Sequence, residues 1–180
     1  MILEGDVVRL RPIDDGDTDR IVDWHSRDEV RRNFMCQAIT RETHVAWMND
    51  VVRTGKAVQF VVEIRTTGQP VGTAFLRDIN KWHNRAEFGI FIGEDAHRGR
   101  GIGQEATALV LKYGFEELEL HRVFLRVLPQ NERAICCYEK VGFVREGYLV
   151  GDVFVDGKYC DIVLMGIINN KEVPLIENNS

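Results

Sequence analysis

The chain has 180 residues, 44% of them hydrophobic and 28% charged, with a formal net charge of -5. This is the balance of a single globular domain with room for a sizeable core. The acidic excess, with no segregated basic face, speaks against a nucleic-acid partner, and no apolar run approaches the ~18 residues of a membrane-spanning helix.

The opening MILEGDVVRLRP lacks a charged-then-apolar leader layout, so a cytoplasmic location is the expectation. Residues 6–13 alternate apolar and polar side chains and read as a strand stopped at Pro12. Asp14, Asp15, Asp17 and Asp19 suit a helix N-terminus, where the macrodipole favours negative charge, and Ile21, Val22 and Trp24 begin the helical face. A second helix follows Thr40, with Val45, Met48 and Val52 at helical spacing and Gly55 at its end, although Thr43 is an imperfect capping-box partner. Residues 57–65 and 71–79 form a hairpin around the turn at Gly68 and Pro70, and residues 85–93 add a third strand. After Gly103 comes a helix with Ala106, Leu109, Val110, Tyr113 and Leu118 on one face. Residues 121–129 form a strand, Asn131 caps a helix that Gly142 ends, and Asp156-Gly157 turns a closing hairpin. Residues 169–180 are a polar tail to a domain of residues 1–168. The order implies an α+β fold: one mixed, mostly antiparallel central sheet flanked by helices.

Cys36, Cys136, Cys137 and Cys160 show no Cys-x-x-Cys spacing and read as reduced core thiols. The five histidines show no zinc spacing, so no metal is expected.

The stretch HRGRGIGQEA, residues 97–106, carries three alternating glycines before a helix. It fails the P-loop pattern, having no Lys-Ser/Thr. It fails the dinucleotide fingerprint, having Gln104 where a glycine belongs. Its physics still suits an anion: glycines admit close approach, and a helix start presents unpaired amides and the positive dipole end. From the loop alone, an anion site and a simple strand-to-helix turn with solvated arginines both stay open.

Three segments in order narrow this. The loop Arg98-x-x-Gly101-x-Gly103, the preceding strand RAEFGIFI and the later NERAICCYEKVGF resemble the GNAT superfamily of acyl-CoA N-acyltransferases, and the closing hairpin EGYLVGDVFVDGKYCDIVLMGI does likewise. The resemblance runs in element order over residues 7–168 and closely over 85–166. It implies acetyl-CoA as cosubstrate. Arg98, Gly99, Arg100, Gly101, Ile102 and Gly103 would hold its pyrophosphate, and Asn131 would contact the pantetheine arm besides capping its helix. Phe91 and Ile92 would present amides where the strand splays from its neighbour, and Tyr138 would lie near the sulfur as the acid for the leaving thiolate. Without the resemblance, Tyr138 reads as a packed core side chain. Glu87 is read equally as a general base acting through water and as the partner of an arginine in a structural ion pair.

The resemblance implies a small-molecule amine as the acceptor. The second half resembles spermidine and ribosomal-protein N-terminal acetyltransferases, and the first half resembles enzymes acting on amino-sugar nucleotides. Substrate contacts are expected from the first helices and the Glu87 strand: Trp24, Arg32, Phe34, His44 and Glu87. A polyamine needs convergent carboxylates and a sugar nucleotide needs cations; acidic residues 14–29 and Arg27, Arg31 and Arg32 offer both. Three functions compete: a small-molecule N-acetyltransferase, a protein N-terminal acetyltransferase, and a non-catalytic acyl-CoA-binding module. Family members are often homodimers, and no residue here decides that.

Overall fold

The structure, a computed structural model, describes residues 1–35, 39–94 and 100–169, with the side chains of 29, 32 and 34 outside the description. Along the chain run β1 (Leu3–Glu4), β2 (Val8–Pro12), a 3-10 turn (Asp15–Asp17), α1 (Thr18–Ser26), α2 (Asp28–Phe34) and α3 (Arg41–Trp47). A π-helical turn (Met48–Val52) follows, then β3 (Val58–Ile64), β4 (Pro70–Asn80) and β5 (Arg85–Ile92). The second half holds α4 (Ile102–Glu116), β6 (Arg122–Val127), α5 (Glu132–Val141), β7 (Val144–Val155) and β8 (Lys158–Ile168). Among the described residues these strands make one eight-stranded sheet, ordered β1-β2-β3-β4-β5-β6-β8-β7. Neighbours are antiparallel except β5 and β6, which α4 joins as a parallel pair.

Local chemistry explains most boundaries. Thr40 and Thr43 do form the reciprocal capping box, each hydroxyl accepting the other's backbone N–H at 2.9 and 3.3 Å. The Asn131 side chain accepts from the Ala134 amide, and Gly142 ends α5 in the left-handed region at φ 111°. Such caps contribute about 1 kcal/mol each. The first helix departs from expectation. Asp14 caps the 3-10 turn through the Gly16 amide, and Asp17 turns inward to a bidentate pair with Arg11. Burial works to raise the Asp17 carboxyl, but hydrogen bonds from Arg11 and the Asp14 amide outweigh it and hold it low. Arg11 also reaches Glu63, which Arg9 bonds from the same strand, so β2, β3 and the 3-10 turn share one charge network. The helix after Thr40 shifts to π-helical turns at Met48 rather than running on as α-helix to Gly55.

The two faces of the sheet carry two cores. On one face, α4 and α5 pack over Leu76, Ala86, Phe88, Val123, Leu125 and Val127, with Tyr138 and Phe143 edge-on to one another. On the other, α1 to α3 cover a smaller cluster of Ile13, Ile21, Trp24, Val30, Met48, Val61 and Phe91. The described cysteines are not core thiols: Cys136 is exposed and Cys137 and Cys160 are half-buried, all free.

Candidate active site

The parallel ladder between β5 and β6 is short. It pairs Arg85, Ala86 and Glu87 with Arg122, Val123 and Phe124 and goes no further, although β5 continues to Ile92 and β6 to Val127. The strands therefore part beyond Glu87, and Phe91 and Ile92 lie on the parted stretch of β5. A cavity of about 470 Å³ fills the parting. Its lining includes Phe88 to Ile92 of β5, Arg126 and Val127 of β6, Asn131 and Tyr138 on the α5 side, and Gly101, Gly103 and Gln104 at the start of α4.

Gly101 takes φ 79° and stands at the N-cap of α4 without a side-chain cap. A residue with Cβ resists that conformation, so glycine is what lets the backbone enter the helix at this angle. The first intrahelical bond runs from the Glu105 amide to the Gly101 carbonyl. The amides of Ile102, Gly103 and Gln104 thus have no partner within the helix, and the positive dipole end opens on the cavity. Ile102 itself is buried in the core and Arg100 is exposed. Arg98 and Gly99 lie outside the described residues.

Glu105, in the first turn of α4, does something local sequence signals do not announce. Its carboxylate accepts the amides of Asp6, Val7 and Val8, at 2.6, 2.9 and 2.8 Å. This ties the β1–β2 turn to the helix start and fixes where α4 begins.

Tyr138 is 8% exposed, edge-on to Phe88 and Phe143, and no hydrogen bond engages its hydroxyl among the described residues. Burial, reinforced by the neighbouring Cys137, pushes its phenol well above the ordinary value. Glu87 is 6% exposed and fully engaged. Arg77 donates to both its oxygens, Nε at 3.2 Å and Nη2 at 3.0 Å, and Arg126 Nε donates at 3.1 Å. The ion-pair reading of Glu87 is the one the geometry realises; the carboxylate has two guanidiniums where a bare base would have water.

Two expected substrate contacts lie elsewhere. Trp24 is 1% exposed in the smaller core, its indole N–H donating to Glu94, and its ring presses against Gly93 where no Cβ would fit. His44 is buried beside Thr18 and Trp47, and burial lowers its pKa. Neither lines the cavity, because α1 and α3 turn these faces onto the sheet. The side chains of Arg32 and Phe34 lie outside the described residues, while their neighbours Val30, Asn33 and Met35 do line the cavity. The residues that sequence reasoning does not single out are Arg77, Arg126 and Phe75. Phe75 lies across Gly89, whose Cβ would come within 2.3 Å of the ring.

A mixed sheet that opens between its two parallel strands, with a capless helix start at one end and a buried tyrosine between the layers, defines an acyl-CoA-binding transferase. The opening suits an extended thioester arm laid as an extra strand, and the helix amides suit its phosphates. Residues 8–144 match a family model described as an acetyltransferase (GNAT) domain. Spermidine N(1)-acetyltransferase of Escherichia coli (strain K12) is 31% identical over 165 residues, covering 91% of this chain and 87% of that protein. Spermidine N(1)-acetyltransferase of Vibrio cholerae is 39% identical over 101 residues, 56% of this chain and 58% of that one. A solved Vibrio cholerae spermidine N-acetyltransferase, in complex with CoA and spermine, superposes with a TM-score of 0.85 at 29% identity, over 91% of this chain and 96% of that one. The chain belongs to the GNAT acetyltransferase family and is an acetyl-CoA-dependent N-acetyltransferase. Among the described residues no helix is long and apolar enough to cross a membrane.

Proposed function

We propose that the protein moves the acetyl group of acetyl-CoA directly to the primary amine of a small molecule, within a ternary complex in the cytoplasm. The observation that carries this reading is the opening between β5 and β6, into which both sheet faces lead. The N–C bond forms as the C–S bond breaks, one proton leaving nitrogen and one reaching sulfur. Amides of Gly101, Ile102 and Gly103, with Arg98, Gly99 and Arg100 of the same loop, hold the pyrophosphate. The β5 edge at Phe91 and Ile92 and the α5 side at Asn131 seat the pantetheine arm. Tyr138 donates a hydrogen bond to the leaving sulfur, which takes its proton from solvent. Amides on β5 steady the oxyanion, an interaction of several kcal/mol when preorganised in a dry cleft (about 2.7–4 kcal/mol for a single donor). Water takes the amine proton, and Glu87 serves by holding Arg77 and Arg126 in place.

Relatives that acetylate spermidine put polyamines first among acceptors, and amino sugars come next. The test is release of CoA thiol from acetyl-CoA across polyamines, amino sugars, amino acids and short peptides. Turnover of a small amine well above any peptide supports the proposal. Peptide-only turnover would instead establish a protein N-terminal acetyltransferase. Acetyl-CoA raising Tm with no turnover of any amine would establish the non-catalytic module. Self-association as a homodimer belongs to the same proposal and is read by analytical ultracentrifugation.

A further inference from the structure

The acceptor side of the opening has a charge pattern that a polycation does not need. Side chains alternate across a sheet, so register assigns the faces. Arg77 stands opposite Glu87, and Glu87 stands beside Phe124, two residues before Arg126. All four therefore share the face covered by α1 to α3, together with Phe75, Gly89 and Phe91. Leu76, Phe88, Leu125 and Val127 belong to the other face, where Tyr138 lies. A molecule reaching the thioester from the α1–α3 side meets the Arg77–Glu87–Arg126 cluster first.

Glu87 is the one acidic residue lining the cavity among the described residues, and two guanidiniums already occupy it. Among those residues no lining carboxylate is left to receive an ammonium group. The guanidiniums are not used up. Arg77 spends Nε and Nη2 on Glu87, and Arg126 spends Nε, with Asp152 at 3.7 Å from its Nη1. Each guanidinium has five N–H donors, so several stay uncommitted on both. Their side chains are 39% and 35% exposed against 7% for Glu87, so the cations face the opening and the anion lies beneath them. The Phe75 ring, 5.7 Å from the Arg77 guanidinium, holds that side chain from the flank. Asp78 at 3.9 Å from Arg77 Nε and Asp152 at 3.7 Å from Arg126 Nη1 flank the pair from outside the cavity lining, so what faces the opening is two forked cations over one buried carboxylate, a docking point for a carboxylate or a phosphate through their uncommitted donors.

We infer that the acceptor of this enzyme is a small primary amine that also bears an anionic group, which docks on Arg77 and Arg126 while its amine passes through the β5–β6 opening. The inference rests on the transferase reading above and replaces the polyamine-first order of acceptors that the relatives suggest.

Matched acceptors test it: β-alanine, phosphoethanolamine, β-alaninamide and diaminopropane, with glucosamine, its phosphate ester and spermidine as larger counterparts. The kcat/KM of an anionic acceptor is expected at least about tenfold above its neutral and cationic counterparts, and the carboxylate and phosphate arms tell which anion is preferred. Arg126→Gln lowers that ratio about tenfold through KM for the acceptor, leaves KM for acetyl-CoA unchanged, and Arg126→Lys restores part of it. Arg126 is chosen because Arg77 keeps Glu87 paired in the variant, and an unchanged Tm certifies the fold. Spermidine or diaminopropane outpacing every anionic acceptor overturns the inference and leaves the transferase reading standing, as does a ratio that ignores Arg126→Gln. No thiol release with any acceptor overturns both.

Discussion

Tyr138 meets opposing demands. A free phenol near ~10 protonates a thiolate near ~8.5 at modest cost. Burial against Phe88 and Phe143 moves this phenol higher, so complete proton transfer becomes harder while a hydrogen bond to sulfur costs little. The same shift keeps the hydroxyl protonated through the neutral and mildly alkaline range. Tyr138→Phe should therefore bind acetyl-CoA as the parent does, by thermal shift, and lose roughly 10²-fold or more in kcat. Unchanged turnover would remove the hydroxyl from the reaction. Glu87 separates its two readings in the same way. As partner to two arginines it supports stability, so Glu87→Gln should cost about 1–3 kcal/mol by urea unfolding, discounted because both guanidiniums reach solvent. It should retain the acid limb of the kcat/KM profile; disappearance of that limb would return Glu87 to the role of base.

At the scale of elements, what can be read from the chain and what cannot divide by range. The Thr40 and Asn131 caps, the Gly142 stop and the Asp156-Gly157 turn depend on residues within a few positions of each other, and each stands where local pattern puts it. The β5–β6 parting is legible only through likeness to a family, since nothing in RAEFGIFI itself says where pairing ends. The Glu105 anchor and the Arg77–Glu87–Arg126 cluster join residues 97–99 and 10–39 positions apart; Glu105, Arg77 and Arg126 look in sequence like ordinary solvated charges, and Glu87 stands out without showing which arginines it meets. Sequence alone does not place Trp24 and His44 relative to the cavity, because an amphipathic helix does not declare whether its apolar face meets sheet or ligand. For α4 the consequence is testable. A Cβ added at Gly101 would meet nothing within 4 Å, so Gly101→Ala adds no clash and only backbone strain, about 1 kcal/mol. The helix start relaxes away from φ 79°, and KM for acetyl-CoA should rise several-fold with acceptor KM unchanged. An equal rise in both would mean that the loop supports the whole cleft rather than the phosphates.

Across the whole molecule, the two cores differ in their tolerance of acid. The α4–α5 side is almost wholly apolar, but the smaller α1–α3 side holds two buried or half-buried histidines. His25 lies edge-on to Phe91 at 4.9 Å, and burial, with a lesser push from His44, lowers its pKa to about 4. His44 is lowered by burial as well, against a weaker opposing pull from Asp17, and its Nε2 is buried without a partner among the described residues. Burial favours the neutral form of both in the folded state. Between about pH 4 and pH 6.5 the unfolded chain binds the His25 proton and the folded chain does not, so stability falls as pH falls through that window. For His25 the loss is about 2 kcal/mol by pH 5, which for a chain of this length lowers Tm by roughly 4–8 °C relative to pH 7. His44 adds to it in the same direction. Asp17 is held low by Arg11, so its contribution is lost only as pH falls below its unfolded value of 3.8, outside the histidine window. Calorimetry at pH 7, 6 and 5 reads the slope, and His25→Gln with His44→Gln should flatten it while lowering Tm at neutral pH. Because α1 to α3 sit over the Arg77 and Arg126 face, this acid loosening should reach acceptor KM before acetyl-CoA KM. A parent Tm that stays level from pH 7 to pH 5 would mean that the histidines are charged in the fold and that the smaller core is wetter than its packing implies.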